Sequence, residues 1–433
     1  MRYALTFLAV AITRSASAQS TPIDIPTAQL YFGEASQLGA ADAGRLWGRP
    51  VAGPILFVDP GTGFIVANRP DRDGKFDARD GVWISKLPEG MAPANTGIDI
   101  GGTRWAMIMW PLPDNRYTRG RLLMHESFHR IQDSVGIPGS NPGNAHLAAA
   151  DGRIWLRLEM RALAEALLRT GDEKRRALHD ALTFRGKRHS LFPVAAEEER
   201  QLELNEGLAE YTGYRLSGLP AGVVADRVAV HLAQQEQQES QSRSFAYATG
   251  AAYALLLDAI GVSWRSSMKA SSSLASHAAA ANKITYVRES DAESRIAAYA
   301  GARMIAFEEA REANRIAQES RLRSRFLDGP VLSLPVGSRF NFSFNPNGAV
   351  PLSGLGTVYE SSRISDEWGA LDVTSGGVLM MRNEKGHITE VIVSSPRVKD
   401  GIVDGDGWKL TLAPGWSATE SATRKGRVVV NRM

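Results

Sequence analysis

The sequence predicts an α+β fold with a β-rich N-terminal part, a helical core and a C-terminal all-β domain. Three patterns indicate this order: short apolar runs between turn residues, then apolar residues at helical spacing, then alternating apolar residues. The chain has 433 residues, of which 43% are hydrophobic and 22% charged. That length and composition allow two or three globular domains with their own cores.

We expect the β-rich part to cover residues 19–113, the helical core residues 114–326 and a sandwich-like domain residues 327–433. The strands expected in the first part are Ile55–Val58, Phe64–Ala67, Val82–Ile84 and Trp105–Trp110. The last of these is predicted as a plain core strand or as an edge strand that pairs with an extended peptide. The helices expected in the core include Ile154–Leu168 and Ala292–Leu322. The C-terminal strands expected are Phe340–Phe344, before an Asn347-Gly348 turn, and Val391–Val393, Leu410–Leu412 and Val428–Val430.

The charge balance and the lack of cysteine exclude several functions. Fifty Lys and Arg against 47 Asp and Glu give a net charge of +3, too even for a nucleic-acid binder or a polybasic membrane binder. Without cysteine the chain has no disulfides, no thiol nucleophile and no thiolate metal ligand. Any metal site must therefore be built from His, Asp and Glu.

The first 18 residues are typical of a secretory signal peptide. Arg2 supplies the positive start, residues 4–12 form a short apolar core, and Ala16-Ser17-Ala18 matches a cleavage site. That core is too short to span a bilayer, and no membrane span is predicted in the mature chain. We therefore expect a secreted or periplasmic protein.

A metal-binding pattern, HExxH, is formed by His125-Glu126-Ser127-Phe128-His129. Two histidines four residues apart lie one turn apart on the same helix face, so both imidazoles can reach one metal ion. Glu126 lies on the flank of that face, where it can reach a water molecule activated by the metal. Zinc lowers the pKa of such a water, and the glutamate removes its proton during attack on a carbonyl. The alternative is a chance pattern on an ordinary amphipathic helix.

A second motif supplies the candidate third ligand. The segment 204–211 reads LNEGLAEY and contains Glu206 and Glu210. One turn apart, these glutamates lie on a common helix face. One carboxylate can therefore bind the metal, while Glu210 either accepts the outer N–H of a ligating histidine or is a surface residue.

Together, HExxH and N-E-G-x-A-x-Y resemble the gluzincin zinc metallopeptidases, especially the aminopeptidase N-like and glycyl aminopeptidase branches. The resemblance implies a zincin-like core with Zn²⁺ held by His125, His129 and Glu206, and a peptide or protein substrate. The segment Tyr247-Ala248-Thr249-Gly250, followed by an apolar helix, is similar to a further family segment. It implies that Tyr247 donates a hydrogen bond to the tetrahedral oxyanion. The alternative is a tyrosine that caps a buried helix.

The sequence departs from that family in two respects. Glu206 follows His129 by 77 residues, a gap that an inserted helical pair over about residues 146–183 can fill and that admits Glu159 and Glu165 as rival ligands. In addition, residues 100–124 contain no glutamate to hold a substrate α-amine, and only Asp114 as an acidic residue. Endo- or exopeptidase action, side-chain preference and oligomeric state all stay open.

Other polar residues give weaker predictions. The loop from Asp71 to Asp80 is predicted as a polar hairpin turn, with calcium binding as the alternative. His231 is predicted as a structural or surface residue, with transition-state donation as the alternative. The remaining histidines are predicted to be solvated: His146, His179, His189, His277 and His387.

The alternative to a metallopeptidase is a secreted, non-catalytic binding protein with a retained zinc site and a C-terminal recognition domain. Glu126 distinguishes the two, because a structural zinc site does not need a carboxylate that is not a ligand.

Overall fold

The computed structural model describes residues 22–261, 263–284, 288–344, 349–399 and 401–433. The signal peptide predicted at Met1–Ala18 and the turn predicted at Asn347-Gly348 lie outside these residues. The described residues confirm an α+β fold with strands in the N-terminal part, helices in the middle and a C-terminal all-β region. The chain divides into two compact units, the first ending at Glu308 and the second running from Glu309 to Met433.

The first unit contains a mixed sheet in the order β3-β4-β2-β1-β6-β5. Its strands are β1 (Ile55–Val58), β2 (Phe64–Ala67), β3 (Asp77–Arg79), β4 (Val82–Lys86), β5 (Thr96–Ile100) and β6 (Thr103–Met109). Strands β1 and β6 are parallel, and the other neighbours are antiparallel. Strand β6 has a partner on each side, so the interpretation of Trp105–Trp110 as an edge strand is wrong. The edge on this side of the sheet is β5, which forms a hairpin with β6, whereas the other neighbour of β6 is β1, a strand distant in sequence.

Both faces of this sheet are apolar. Ile55, Phe57 and Val66 belong to the large core shared with the helices, whereas Leu56 and Ile65 belong to a smaller core on the opposite face. The alternation follows from the two-residue period of a strand. A sheet covered in this way holds β6 firmly just before the chain enters the helix that carries the HExxH motif.

The unit begins with a helix that the β-rich prediction missed, α1 (Ile25–Asp42). The side chain of Asp24 accepts the backbone N–H of Thr27, and a proline occupies the first turn. Buried residues recur at helical spacing along the helix: Ala28, Tyr31, Phe32 and Ala35. The signals were an Asp N-cap followed by Pro, which favour a helix start.

The helical part of the chain contains ten further α-helices within the described residues. They are α2 (Arg116–Ile131), α3 (Ala150–Leu168), α4 (Gly171–Leu191), α5 (Ala195–Leu202), α6 (Leu208–Leu216), α7 (Ala221–Glu236), α8 (Phe245–Asp258), α9 (Leu274–Ala281), α10 (Ala292–Arg295) and α11 (Gly301–Arg323). The helical segment expected at 292–322 is interrupted by a 3₁₀ turn at Ile296–Tyr299 and by Ala300 in the left-handed region. No helix among the described residues combines the length and apolar character needed to cross a bilayer.

The second unit continues from α11 into two antiparallel-rich sheets. One has the order β18-β19-β7-β14-β13-β10-β9 and the other β15-β16-β17-β12-β11-β8. The strands of the first sheet are β7 (Val331–Pro335), β9 (Val350–Leu352), β10 (Gly356–Tyr359), β13 (Val378–Arg382), β14 (Ile388–Ser394), β18 (Trp416–Glu420) and β19 (Arg427–Arg432). Those of the second are β8 (Asn341–Phe344), β11 (Ser362–Asp366), β12 (Gly369–Val373), β15 (Arg397–Lys399), β16 (Ile402–Gly405) and β17 (Trp408–Leu412). Residues of both sheets share one core, including Leu334, Leu371 and Val391, which is the arrangement of a β-sandwich.

Candidate metal centre

Helix α2 carries the HExxH residues on its buried face. Its N-cap is Asn115, whose side chain accepts the N–H groups of Tyr117 and Thr118. Helix α6 packs closely against α2 because glycines lie at the contact. A Cβ atom on Gly120 would be 2.9 Å from the Ser217 carbonyl oxygen, and one on Gly213 would be 2.7 Å from the carbonyl oxygen of Arg121. This close approach brings residues before and within α6 to the imidazoles of α2.

Glu206 lies in a π-helical segment, Glu203–Gly207, between α5 and α6. A π segment inserts an extra residue into the helical ladder, a feature often found at functional sites. Here it joins two α-helices without a loop, and Glu206 is 3% exposed. The two glutamates of the motif therefore sit on different helical segments, Glu206 on the π segment and Glu210 on α6.

Three donor atoms converge at this point. The Nε2 atoms of His125 and His129 are 3.2 Å apart, and Glu206 Oε2 lies 3.5 Å from the first and 3.4 Å from the second. Two atoms bonded to one zinc ion at about 2.0–2.1 Å and at the tetrahedral angle are about 3.3 Å apart. The residues present therefore fit a tetrahedral metal ion in both chemistry and spacing.

The outer nitrogen of each imidazole donates its proton to a buried acceptor. His125 Nδ1 donates to Glu210 Oε2 over 2.9 Å, and His129 Nδ1 donates to Gln132 Oε1 over 2.8 Å. These bonds direct each Nε2 lone pair inward and fix the ring orientation, as the partners of metal-ligating histidines do. Glu210 thus lies where an acceptor for a ligating histidine is expected. Gln132 was not singled out as a partner of the centre from the sequence.

The two oxygens of Glu206 face different partners. Oε2 faces the imidazoles, whereas Oε1 accepts hydrogen bonds from Asn205 Nδ2 at 3.3 Å and Arg243 Nη2 at 2.8 Å. Asn205 Oδ1 in turn accepts from Gln132 Nε2 at 3.0 Å. A chain of side chains therefore links His129 to Glu206 behind the three donor atoms.

The donor set attracts positive charge. Burial disfavours the charged form of His125, but hydrogen bonds to Glu206 and Glu210 outweigh it and raise the pKa of His125 to about 10. Burial likewise opposes ionisation of Glu206, and the hydrogen bonds from both histidines overcome it and hold the pKa of Glu206 far below its ordinary value. Because these carboxylates favour a cation, a metal ion has to compete with a proton for the imidazole nitrogens.

Glu126 and Tyr247 flank the three donor atoms. Glu126 Oε1 is 4.0 Å from His125 Nε2, and its Oε2 is buried without a hydrogen-bond partner among the described residues. Burial raises the pKa of Glu126 above its ordinary value. The ring of Tyr247, on α8, stacks on His125 with centroids 5.4 Å apart and planes at 7°. Burial, followed by the charge of Glu206, raises the pKa of Tyr247 well above its ordinary value, so its hydroxyl keeps its proton at neutral pH.

The two alternative third ligands from the sequence, Glu159 and Glu165, form ion pairs away from the histidines. Glu159 is fully buried and accepts hydrogen bonds from Arg185 at 3.0 Å, Arg188 at 2.5 Å and the hydroxyl of Tyr253 at 2.6 Å. Glu165 forms an exposed pair with Arg169. The cluster that could hold a metal ion within the described residues therefore uses Glu206 and neither rival.

Glu159 belongs to a buried polar network that sequence reasoning missed. Its other carboxylates are Glu199, bonded to Arg188, and Glu203, bonded to Arg185. His146 and His189 both contact Glu199, at 2.8 and 2.9 Å. The prediction that these two histidines are solvated is wrong, since His146 is buried and His189 is largely enclosed.

The structure also places His231 and Asp71, two residues for which the predictions from sequence were weaker. His231 Nδ1 lies 3.6 Å from Glu210 Oε1, so its ring is placed behind the carboxylate that holds His125. Asp71 accepts the backbone N–H groups of Lys75 and Phe76, each at 2.9 Å, as a residue that closes a turn does.

The cleft beside the donor atoms has a volume of about 270 Å³ and mostly polar walls. Its lining residues include His129, Glu206, Arg104, Asp133 and Arg243. Comparison of the chain with family models, curated proteins and solved structures found no match. The resemblance to gluzincins therefore depends on the residues and their geometry alone.

Proposed function

We propose that this protein is a zinc-dependent metallopeptidase that hydrolyses peptide bonds by direct attack of water. The observation that carries the proposal is the set of three donor atoms at 3.2–3.5 Å beside a buried carboxylate, that of Glu126. Three protein ligands rather than four are typical of catalytic zinc sites. A structural site has no need of the additional carboxylate.

The proposed zinc ligands are His125 Nε2, His129 Nε2 and Glu206 Oε2. A zinc ion bound there would activate a water molecule and polarise the scissile carbonyl. Glu126 accepts the proton of the attacking water on its carboxylate, whose Oε1 lies 4.0 Å from His125 Nε2. As the new C–O bond forms and the C–N bond breaks, Glu126 returns that proton to the leaving amine. Water is consumed, a carboxylate and an amine result, and no covalent enzyme intermediate is formed.

Tyr247 is the proposed donor to the oxygen of the scissile carbonyl. Its hydroxyl remains protonated because burial and Glu206 raise its pKa. Such a hydroxyl forms its full hydrogen bond only as negative charge builds up on the carbonyl oxygen. It therefore lowers the activation barrier instead of only strengthening substrate binding.

Secretion is part of the proposal and is supported by the sequence of Met1–Ala18 alone. Protease protection of the protein in intact cells, with and without that segment, tests it.

The decisive experiment compares the wild type with Glu126→Gln. We expect about one zinc ion per chain in both proteins and a loss of peptide hydrolysis of about 10²–10⁴-fold in the variant. Equal hydrolysis by the two proteins would contradict the proposed role of Glu126. Zinc binding without hydrolysis by the wild type would favour a binding protein that retains a metal site.

A second comparison assigns the third ligand. Glu206→Gln removes the negative charge of the proposed carboxylate ligand and should lose zinc. Glu165→Gln is the matched control, because Glu165 is a rival from the sequence that lies on the solvent-exposed face of α3. Glu159 is unsuitable as a control, since its removal would leave Arg188 buried with one partner fewer. Metal content measured after dialysis should fall only in Glu206→Gln.

A further inference from the structure

Arg243 is the feature of the cleft that neither motif explains. It lies two residues before α8, and its side chain is 53% exposed. Its guanidinium donates to Glu206 Oε1 and also interacts with the hydroxyl of Tyr247. Arg243 therefore lies one carboxylate width from the proposed metal position, lines the cleft and has about half of its side chain exposed.

The other arginine of the cleft wall, Arg104, is already neutralised. Its Nη1 is 2.7 Å from Asp99 Oδ2, and its Nη2 is 3.9 Å from Asp133 Oδ2. Arg243 has only the carboxylate of Glu206 as a close anionic partner among the described residues. Once Glu206 shares its charge with a metal ion, the guanidinium of Arg243 is left with uncompensated positive charge facing the cleft.

Carboxylates suited to a positively charged substrate are scarce here. Of the described residues that line the cleft, Asp133 and Glu206 are acidic. Asp133 is 70% exposed and faces Arg104, and Glu206 is a proposed metal ligand. The cleft therefore provides no free buried carboxylate for the α-amine of a peptide, and its electrostatics favour a negatively charged substrate group.

We propose that Arg243 binds a carboxylate of the peptide substrate close to the scissile bond. This inference rests on the proposed peptidase function and names its substrate class. A guanidinium binds a carboxylate through two parallel N–H···O bonds, a geometry that is both specific and strong. The carboxylate is either the substrate's C-terminus or an Asp or Glu side chain next to the cleaved bond. Because about half of the Arg243 side chain is exposed, its guanidinium is accessible to a substrate carboxylate.

The first test uses the zinc-loaded wild type and three tetra-alanine probes: the free peptide, its N-acetylated form and its C-terminal amide. If Arg243 holds the C-terminal carboxylate, amidation should lower kcat/KM by about 10–100-fold and acetylation should change it little. If Arg243 instead holds an Asp or Glu side chain of the substrate, the three alanine probes should be equally poor substrates. The kcat/KM for amidated peptides with one internal Asp or Glu should then exceed that for matched Asn or Gln peptides by a similar factor.

The second test uses Arg243→Gln, with Arg175→Gln as a surface control on α4. Arg243→Gln should remove the preference for the carboxylate while zinc content stays near one ion per chain. Binding gives a readout independent of turnover. Calorimetry on zinc-loaded Glu126→Gln should show the preferred probe bound about 10-fold or more weakly once Arg243→Gln is added.

The outcomes separate this inference from the function on which it rests. Hydrolysis of no peptide by the zinc-loaded wild type contradicts the proposed function. Hydrolysis without any preference for a carboxylate overturns the role of Arg243 alone. An equal loss on all probes in Arg243→Gln, together with a loss of zinc, would show that Arg243 only orients Glu206 and would also overturn it.

Discussion

Gly207 and Gly250 contact each other backbone to backbone. A Cβ atom on Gly207 would lie 2.7 Å from the Cα atom of Gly250, and one on Gly250 would lie 2.6 Å from the Cα atom of Gly207. Gly207 ends the π-helical segment that carries Glu206, and Gly250 lies in the same turn of α8 as Tyr247. The contact therefore sets the distance between the carboxylate donor and the tyrosine.

Gly250→Ala should separate these two segments. The added methyl group would overlap backbone that cannot move freely, so we expect a loss of about 1–3 kcal/mol in the free energy of unfolding. Zinc affinity should fall as well, since Glu206 moves with its segment. Urea unfolding and metal titration measure the two effects.

The control for this variant is Gly222→Ala on α7, where a Cβ atom meets nothing within 4 Å. Alanine there should be neutral or should stabilise the helix by up to about 1 kcal/mol. Similar behaviour of the two variants would contradict the importance of the glycine contact.

Gln132→Ala should weaken zinc binding by about 10–100-fold, as loss of a partner that orients a metal ligand typically does. The variant removes the acceptor for His129 Nδ1 and the donor to Asn205. Competition with a chromophoric chelator measures the affinity. Gln234→Ala, at an exposed position of α7, should leave the affinity unchanged, and an unchanged affinity in Gln132→Ala would disprove its orienting role.

Local spacing made part of the centre predictable from sequence. His125 and His129 are separated by one helical turn, so their proximity follows from α2 alone. Glu206 was chosen through the residues next to it, and the structure brings it to the histidines across an intervening helical pair, α3 and α4. The fold class was predictable for the same reason, because periodicity is a local property.

What the sequence could not show depends on contacts between distant elements. Arg243 lies in no motif, and its contact with Glu206 requires α8 to pack on the π segment. The edge strand was misassigned because strand order is decided by pairing across the sheet. Glu159 and Glu199 were not recognised as core residues, since charged side chains are usually exposed unless a partner is buried with them.

Tyr247→Phe should lower kcat by about 10²–10³-fold while zinc content and KM change little. The reason is that only the hydroxyl is lost, and the phenyl ring can keep its stacking on His125. Steady-state kinetics on the preferred tetrapeptide provide the measurement. Tyr117→Phe removes a hydroxyl in the first turn of α2 and should have wild-type kinetics. A kcat for Tyr247→Phe within a few-fold of wild type would leave the tyrosine with a packing role only.

Glu199 and Glu197, on the same helix, should differ sharply in their effect on stability. Glu199 is fully buried between Arg188, His146 and His189, whereas Glu197 is 60% exposed and pairs with Arg200. Glu199→Gln removes a negative charge that pairs with the buried Arg188 and should lower the free energy of unfolding by about 3–5 kcal/mol. Glu197→Gln should change the free energy of unfolding by at most about 1 kcal/mol.

The pH dependence of the free energy of unfolding gives a second test of the role of Glu199. Burial opposes ionisation of Glu199, but Arg188 outweighs it and holds the pKa of Glu199 well below its ordinary value of 4.5. The folded protein therefore keeps Glu199 ionised where the unfolded chain protonates it. Its contribution is complete above about pH 4.5 and is lost as the pH falls from there toward the folded-state pKa. Urea unfolding of the wild type should weaken over this acid range, and Glu199→Gln should flatten the slope. A slope unchanged in Glu199→Gln would assign the acid sensitivity to other groups.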